Sequence, residues 1–183
     1  SQARYLLFNR KIKTLRIKDL SLAAADKMAQ ILKAEFPEVT YVTTDTSEEL
    51  VKASQLIVAA TTSRKPLFEA DAALVKGKTF ISIGSFRPDM KEFPDAVIST
   101  ADHVYVDTLF AARESGDICI PLENKVVERE RVEAFSSLIE KPIDLENKTL
   151  FFKSVGMALF DLTVASAVYK LALKEKMGQE LDI

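Results

Sequence analysis

The chain has 183 residues, is 48% hydrophobic and is close to neutral, with 25 Lys and Arg against 27 Asp and Glu for a formal net charge of −2. This composition suits a globular domain with a real core and excludes a disordered chain. It offers no basic excess for nucleic acid, and no apolar run approaches the roughly 18 residues of a membrane span, so neither partner is expected.

The opening, SQARYLLFNRK, enters an amphipathic pattern with no starting methionine and no leading strand. It reads as a chain cut from the middle of a longer protein. Residues 3–10 read as a helix, and residues 13–18 (KTLRIK) alternate like a strand ending at Asp19. Ser21 is placed to cap a helix over 22–36, whose Ala25, Met28, Ala29 and Leu32 recur at helical spacing. A strand over 39–44 follows, then a short helix from about Ser47 and a strand over 55–61. After the loop TSRKPLF, Lys76-Gly77-Lys78 turns the chain into a strand over 79–83. A strand over 103–107 and the segment ESGD (114–117) come next. A helix is expected around 128–139, with VVERERVE as its solvated face. A strand over 149–153 then leads into a long helix from Gly156 to about Met177.

The runs LIVAA and TFISI are apolar and show little alternation, as strands buried on both faces do. Alternation of strands and helices predicts an α/β fold with a doubly wound parallel sheet. Ligands of such sheets bind beyond the carboxyl ends of the strands. The unusual loops lie at those ends: Asp19-Leu20-Ser21, Thr43-Thr44-Asp45, Ala60–Ser63, Gly84–Asp89 and Ser154-Val155-Gly156. The plain alternative is that they are ordinary turns.

A dinucleotide is the usual guest of this architecture, and its G-x-G-x-x-G/A fingerprint is absent from the five glycines present. Were G-x-G to precede Ser1, Ala3 would fill the final small position. The helix from Gln2 would then present its positive end to a pyrophosphate. Asp19 ends the next strand, where a carboxylate accepts hydrogen bonds from ribose hydroxyls and disfavours a 2′-phosphate, so NAD is favoured slightly over NADP. It follows Gln2 by 17 residues, against about 20 from the glycines to the acid in the usual pattern. Asp19 also reads as a helix-entry carboxylate. A lone cysteine, Cys119, fits a reducing compartment, taken as the cytoplasm. With His103 as the single histidine, no His/Cys metal site is expected.

Four stretches in order, ATTSRKP (60–66), IGSFRPDMKEF (83–93), ESGD (114–117) and FFKSVGMALFDLTVA (151–165), resemble the ornithine cyclodeaminase/mu-crystallin family. The resemblance covers nearly the whole chain. It implies a Rossmann-type nicotinamide domain over 1–155 that lacks its first strand. Residues 156–183 would then pack towards an N-terminal substrate and dimerisation domain outside the sequence, in a homodimer. It implies NAD(H) or NADP(H) as cofactor and a small amino or imino acid as substrate. The chemistry would be hydride transfer at an imine or amine carbon. Cyclisation of ornithine to proline, alanine or opine dehydrogenation, and non-catalytic ligand carriage are the family's other activities. The isolated chain is expected to bind nicotinamide nucleotide poorly.

By resemblance, the Gly84–Asp89 loop lies beside nicotinamide and substrate. Gly84 and Ser85 would face the cofactor, and Asp89 and Arg87 would be the catalytic pair. Asp89 would hold or protonate an imine nitrogen and Arg87 would fix a carboxylate. Alternatively the two residues pair with each other and shape the loop. Ornithine-cyclising members carry a carboxylate two residues before the loop proline, where this chain has Phe86, which favours imine reduction. Thr61, Thr62 and Ser63 would line the cofactor's path, Thr43 and Thr44 its adenine end, and Ser154, Val155 and Gly156 its nicotinamide. Lys65 reaches a phosphate or points to water.

Overall fold

The computed structural model describes residues 2–179; Ser1, part of the expected pyrophosphate turn, lies outside them. Helix α1 (Gln2–Asn9) leads to β1 (Thr14–Ile17). Helix α2 (Leu22–Glu35) is capped by Ser21, whose hydroxyl accepts from Ala24 N at 3.3 Å. Strand β2 (Thr40–Thr43) and α3 (Ser47–Lys52), capped by Thr46, follow. Then come β3 (Leu56–Ala59), α4 (Ala72–Val75), β4 (Thr79–Ser82) and α5 (Asp95–Thr100). After β5 (His103–Val106), two short helices follow, α6 (Ala111–Glu114) and α7 (Gly116–Glu123), so ESGD spans the joint between them. A 3-10 turn (Arg129–Arg131), β6 (Val132–Ala134), α8 (Ser137–Glu140), β7 (Leu150–Lys153) and α9 (Ala158–Lys174) complete the chain.

All strand pairs are parallel, in a two-stranded sheet β1-β2 and a five-stranded sheet ordered β3-β4-β7-β5-β6. The last strand, β7, is therefore inserted between β4 and β5 at the centre. The register aligns side chains into rungs. Ile57, Phe80, Phe151, Val104 and Val132 form one rung; Ala59, Ser82, Lys153, Val106 and Ala134 form another, two residues nearer the carboxyl ends. With a side-chain period of two, both rungs face the same side. The first is the apolar floor of the main core. Phe93 stands edge-on to Phe68, Phe80 and Phe151, with ring centroids 6.1, 5.4 and 5.9 Å away. A second core of Leu7, Leu32, Phe36 and Val39 belongs to the β1–β2 unit.

The helix expected around 128–139 is not formed. Its charged run passes through the 3-10 turn into β6 and then α8. Tertiary pairing overrides local propensity here: Val132 joins the apolar rung beside Val104, and the Arg131 guanidinium donates to the Ala101 carbonyl. The C-terminal helix begins at Ala158, two residues later than expected.

Phe93 joins strands that meet only through tertiary structure. Phe93→Ala should cost about 3–5 kcal/mol of unfolding free energy, read by urea denaturation. A loss below about 1 kcal/mol would show that the surrounding rings close over the gap and that the floor does not depend on it.

Candidate functional site

The second rung carries the polar chemistry. Lys153, at the end of the central strand, is fully buried, and its Nζ donates to Ser82 O at 3.2 Å and Ser82 Oγ at 3.1 Å. Ser82 Oγ also lies 2.9 Å from Glu92 Oε2 and 2.7 Å from Asp117 Oδ2. Both acids are buried, Glu92 on the loop after β4 and Asp117 in the first turn of α7.

Glu92 gathers the loops after β3 and β4. Its Oε1 accepts from Thr61 N at 2.6 Å and Thr61 Oγ1 at 2.8 Å. Its Oε2 accepts from Gly84 N at 2.9 Å and Ser85 N at 3.3 Å. Asp117 Oδ1 accepts from Glu92 N at 2.9 Å and Phe93 N at 3.0 Å, which seats the acid-bearing segment in turn. Ser85 Oγ is buried, donates to Met90 O at 2.7 Å and lies 2.8 Å from Ser115 Oγ. The two loops approach so closely that a Cβ on Gly84 would lie 1.9 Å from Thr61 O and 2.5 Å from Glu92 Oε1. Gly84 thus serves contact between loops within the chain.

A third acid, Asp107 just after β5, holds the turn after β7. Its Oδ2 accepts from Ser154 Oγ, Val155 N and Gly156 N at 2.8, 2.9 and 2.8 Å. Gly156 has φ +79° with open space around it, so the turn's left-handed backbone is what requires glycine here.

Above this buried layer the groups are exposed. Asp89 lies between Arg64 and Arg87, each Nε 3.5 Å from a different carboxylate oxygen. Arg87 and Asp89 therefore do pair with each other, with Arg64 as a third member that the sequence reading did not include. Phe86 on the same loop is 55% exposed. Ser63 O accepts from Lys91 N at 3.1 Å, and Thr62 and Lys65 face solvent.

Thr61, Ser63, Gly84, Ser85, Arg87 and Asp89 are thus brought together, and Ser154, Val155 and Gly156 follow from the next strand of the same sheet. The remaining candidates belong to the β1–β2 unit. Asp19 is exposed beyond β1, and its Oδ1 accepts from Ser21 N at 2.9 Å, so it does act at the entry to α2. Thr43 ends β2. Next to it, Thr44 Oγ1 is buried and, among the described residues, is the one buried side-chain polar atom without a hydrogen-bond partner. Gln2 begins α1, and Ala3 packs on the second core.

These residues fit a nucleotide in their donor types. Hydroxyls at the ends of parallel strands, an exposed carboxylate at Asp19 and the orphaned Thr44 hydroxyl suit ribose and base. The backbone N–H groups of Val155 and Gly156 already serve Asp107, and that turn is positioned by the protein itself.

Burial raises the Asp117 acid above the usual carboxylate range, against the hydrogen bonds from Phe93, Ser82 and Glu92. Burial also pulls the Lys153 ammonium down to about 8, partly offset by Asp117, Glu92 and Asp107. Burial raises the Cys119 thiol too, so it is a poor nucleophile. Glu92, Asp107, Asp117, Lys153 and Ser82 all escaped the sequence reading. For Asp107 and Lys153 the signal was position, charge at the end of an apolar strand in HVYVD and LFFK; Glu92 and Asp117 stand in a loop and a helix with no such marker.

Residues 1–176 match the model of the ornithine cyclodeaminase/mu-crystallin family. The Delta(1)-pyrroline-2-carboxylate reductase of Bacillus cereus is 32% identical over 159 residues, 84% of this chain and 48% of that protein. The ketimine reductase mu-crystallin of Macropus fuliginosus is 31% identical over 163 residues, 86% of this chain and 46% of that protein. The chain spans about half the length of these curated relatives. Thermococcus litoralis Delta(1)-pyrroline-2-carboxylate reductase, solved in complex with NADH and L-proline, superposes with a TM-score of 0.86 at 25% identity, over 98% of this chain and 58% of that one. The parallel α/β architecture is therefore that of these enzymes.

Lys153 gives the site a pH signature. Its proton is held less tightly in the folded chain, at about 8, than at the ordinary 10.5. The unfolded chain therefore binds more protons across that window, and the contribution of Lys153 to stability rises with pH through it. Lys153→Met should remove that rise from the pH dependence of urea unfolding. Identical slopes for the two proteins from about pH 8 towards 10.5 would contradict the assignment.

Proposed function

The chain belongs to the ornithine cyclodeaminase/mu-crystallin family, and from that premise we propose that the whole protein is an NAD(P)H-dependent reductase of a cyclic ketimine of the pyrroline-2-carboxylate type, giving a cyclic amino acid. The observation that carries this reading is the Gly84–Asp89 loop. Its base is pinned by Glu92, and its tip presents Phe86, Arg87 and Asp89 to solvent beside Arg64. Phe86 stands where cyclisation would call for a carboxylate, and a phenyl ring does no acid–base work. Two relatives that align over more than four-fifths of the chain carry reductase names.

In this proposal Arg87 fixes the substrate carboxylate and Asp89 holds the imine nitrogen. A bound nicotinamide would supply the hydride to the imine carbon, and a proton completes the amine. Thr61, Thr62, Ser63, Gly84 and Ser85 shape the cofactor's path. Ser154, Val155 and Gly156 bound its nicotinamide end, and Thr43 its adenine end. Asp19 takes ribose hydroxyls and favours NADH, and Gln2 and Ala3 open the helix nearest the pyrophosphate. Residues 1–155 form the cofactor domain.

Helix α9 supports the domain arrangement. It buries none of its residues and exposes Leu159, Leu162, Val164, Val168, Tyr169 and Leu173. An apolar helix of this kind is covered in the working protein, and its proposed cover is a substrate and dimerisation domain, in a homodimer. That domain accounts for the other half of the relatives' length. The cytoplasm suits a chain with one thiol and a nicotinamide cofactor.

With the whole protein, pyrroline-2-carboxylate should drive NADH oxidation. Arg87→Ala should raise KM about 10- to 100-fold with a smaller change in kcat, the worth of one charge-assisted contact. Absence of NADH oxidation with every cyclic imine, together with proline formed from ornithine, would overturn the reductase reading. Asp19→Ser should relax the preference for NADH over NADPH by about tenfold; an unchanged ratio would leave Asp19 as the entry residue of α2 alone.

A further inference from the structure

The hydrogen bonds around Ser82 cannot all be satisfied if both neighbouring acids are ionised. A hydroxyl has one hydrogen to donate and two lone pairs to accept with. Ser82 Oγ has three polar neighbours: Lys153 Nζ at 3.1 Å, Glu92 Oε2 at 2.9 Å and Asp117 Oδ2 at 2.7 Å. Lys153 donates to one lone pair, and the hydroxyl hydrogen goes to one carboxylate. The other carboxyl oxygen then meets a bare lone pair, unless it carries a proton and donates it.

The remaining partners decide which acid that is. Glu92 Oε2 already faces Gly84 N and Ser85 N, and Oε1 faces Thr61 N and Thr61 Oγ1. Gly84 N and Ser85 N can only donate, so Oε2, the oxygen that faces Ser82, is an acceptor. Asp117 Oδ1 takes two backbone N–H groups, whereas among the described residues Oδ2 is hydrogen-bonded to Ser82 Oγ alone. We propose that Asp117 is held as the neutral acid at neutral pH, and that the chain Asp117 Oδ2–H to Ser82 Oγ–H to Glu92 is the positioning device that fixes the loops after β3 and β4.

Charge agrees with this assignment. Lys153 and a Glu92 carboxylate balance, whereas a second buried anion would leave the cluster with excess negative charge. The titratable and charged groups facing Asp117 are Glu92 from the loop after β4, Lys153 from β7 and Cys119 two residues on in α7, and Asp107, just after β5, acts on Lys153 as well. Burial acts on Asp117 in the same direction. This inference stands apart from the nucleotide reading, because it concerns a proton inside the unliganded fold.

The test is made on the chain labelled with carbon-13 at the carboxyls of aspartate in one sample and of glutamate in another. At neutral pH one aspartyl carboxyl should resonate as the acid, and no glutamyl carboxyl should. All aspartyl groups in the ionised range, or an acid signal from glutamate, would overturn the assignment without any variant having to fold. The variants then read the positioning role. Asp117→Asn keeps a donor towards Ser82 and an acceptor towards Glu92 N and Phe93 N, and should move Tm by no more than about 3 °C. Glu92→Gln turns an N–H2 towards groups that themselves donate, and should lower Tm by about 6 °C or more. Equal losses for the two would show that Asp117 acts as an anion.

Discussion

One buried carboxylate organises the carboxyl end of the main sheet. Glu92 accepts from the backbone of three residues on two loops and from the Thr61 hydroxyl, and it leans on Ser82 at the end of β4. Without it, Thr61 N, Gly84 N and Ser85 N would lose their common acceptor in a place with little access to water. A buried charge with this many donors is costly to disturb, on the order of 3–5 kcal/mol when a partner is removed. The rest of the rim inherits its geometry from this point. Gly84 has no room for a side chain because Thr61 and Glu92 press against it.

The rim therefore has a rigid base and open tips. Below lie Ser82, Glu92, Asp117 and Lys153, all buried; above lie Phe86, Arg87 and Asp89, all exposed. Asp107 does for the turn after β7 what Glu92 does for the earlier loops. Such a division suits a site that must present a few polar groups in fixed places while its guest enters and leaves. The ion pairs of Asp89 with Arg64 and Arg87 are exposed and at 3.5 Å, so they add little to stability.

The polar loops at strand ends were legible because buried parallel strands are written as apolar runs, and the residues that interrupt them mark the edge where ligands collect. The pairing of Arg87 with Asp89 was one of two outcomes the sequence allowed. Arg64 joined it because the loop after β3 comes alongside, a contact with no local signal. The expected helix around 128–139 failed for the same reason: Val132 served an open strand edge better than a helix face.

What the sequence determined by itself was every strand but β6, the cap at Ser21, the parallel α/β class and the location of the polar loops, all properties of residues near one another along the chain. Tertiary structure decided the order of the strands. Only insertion of β7 between β4 and β5 sets Lys153 beside Ser82, 71 residues away along the chain. Glu92 and Asp117 converge on that same hydroxyl from a loop and a helix whose local sequences say nothing of each other. A buried charge is stable only where donors from distant segments surround it, and that meeting is fixed by packing, not by neighbours in the chain.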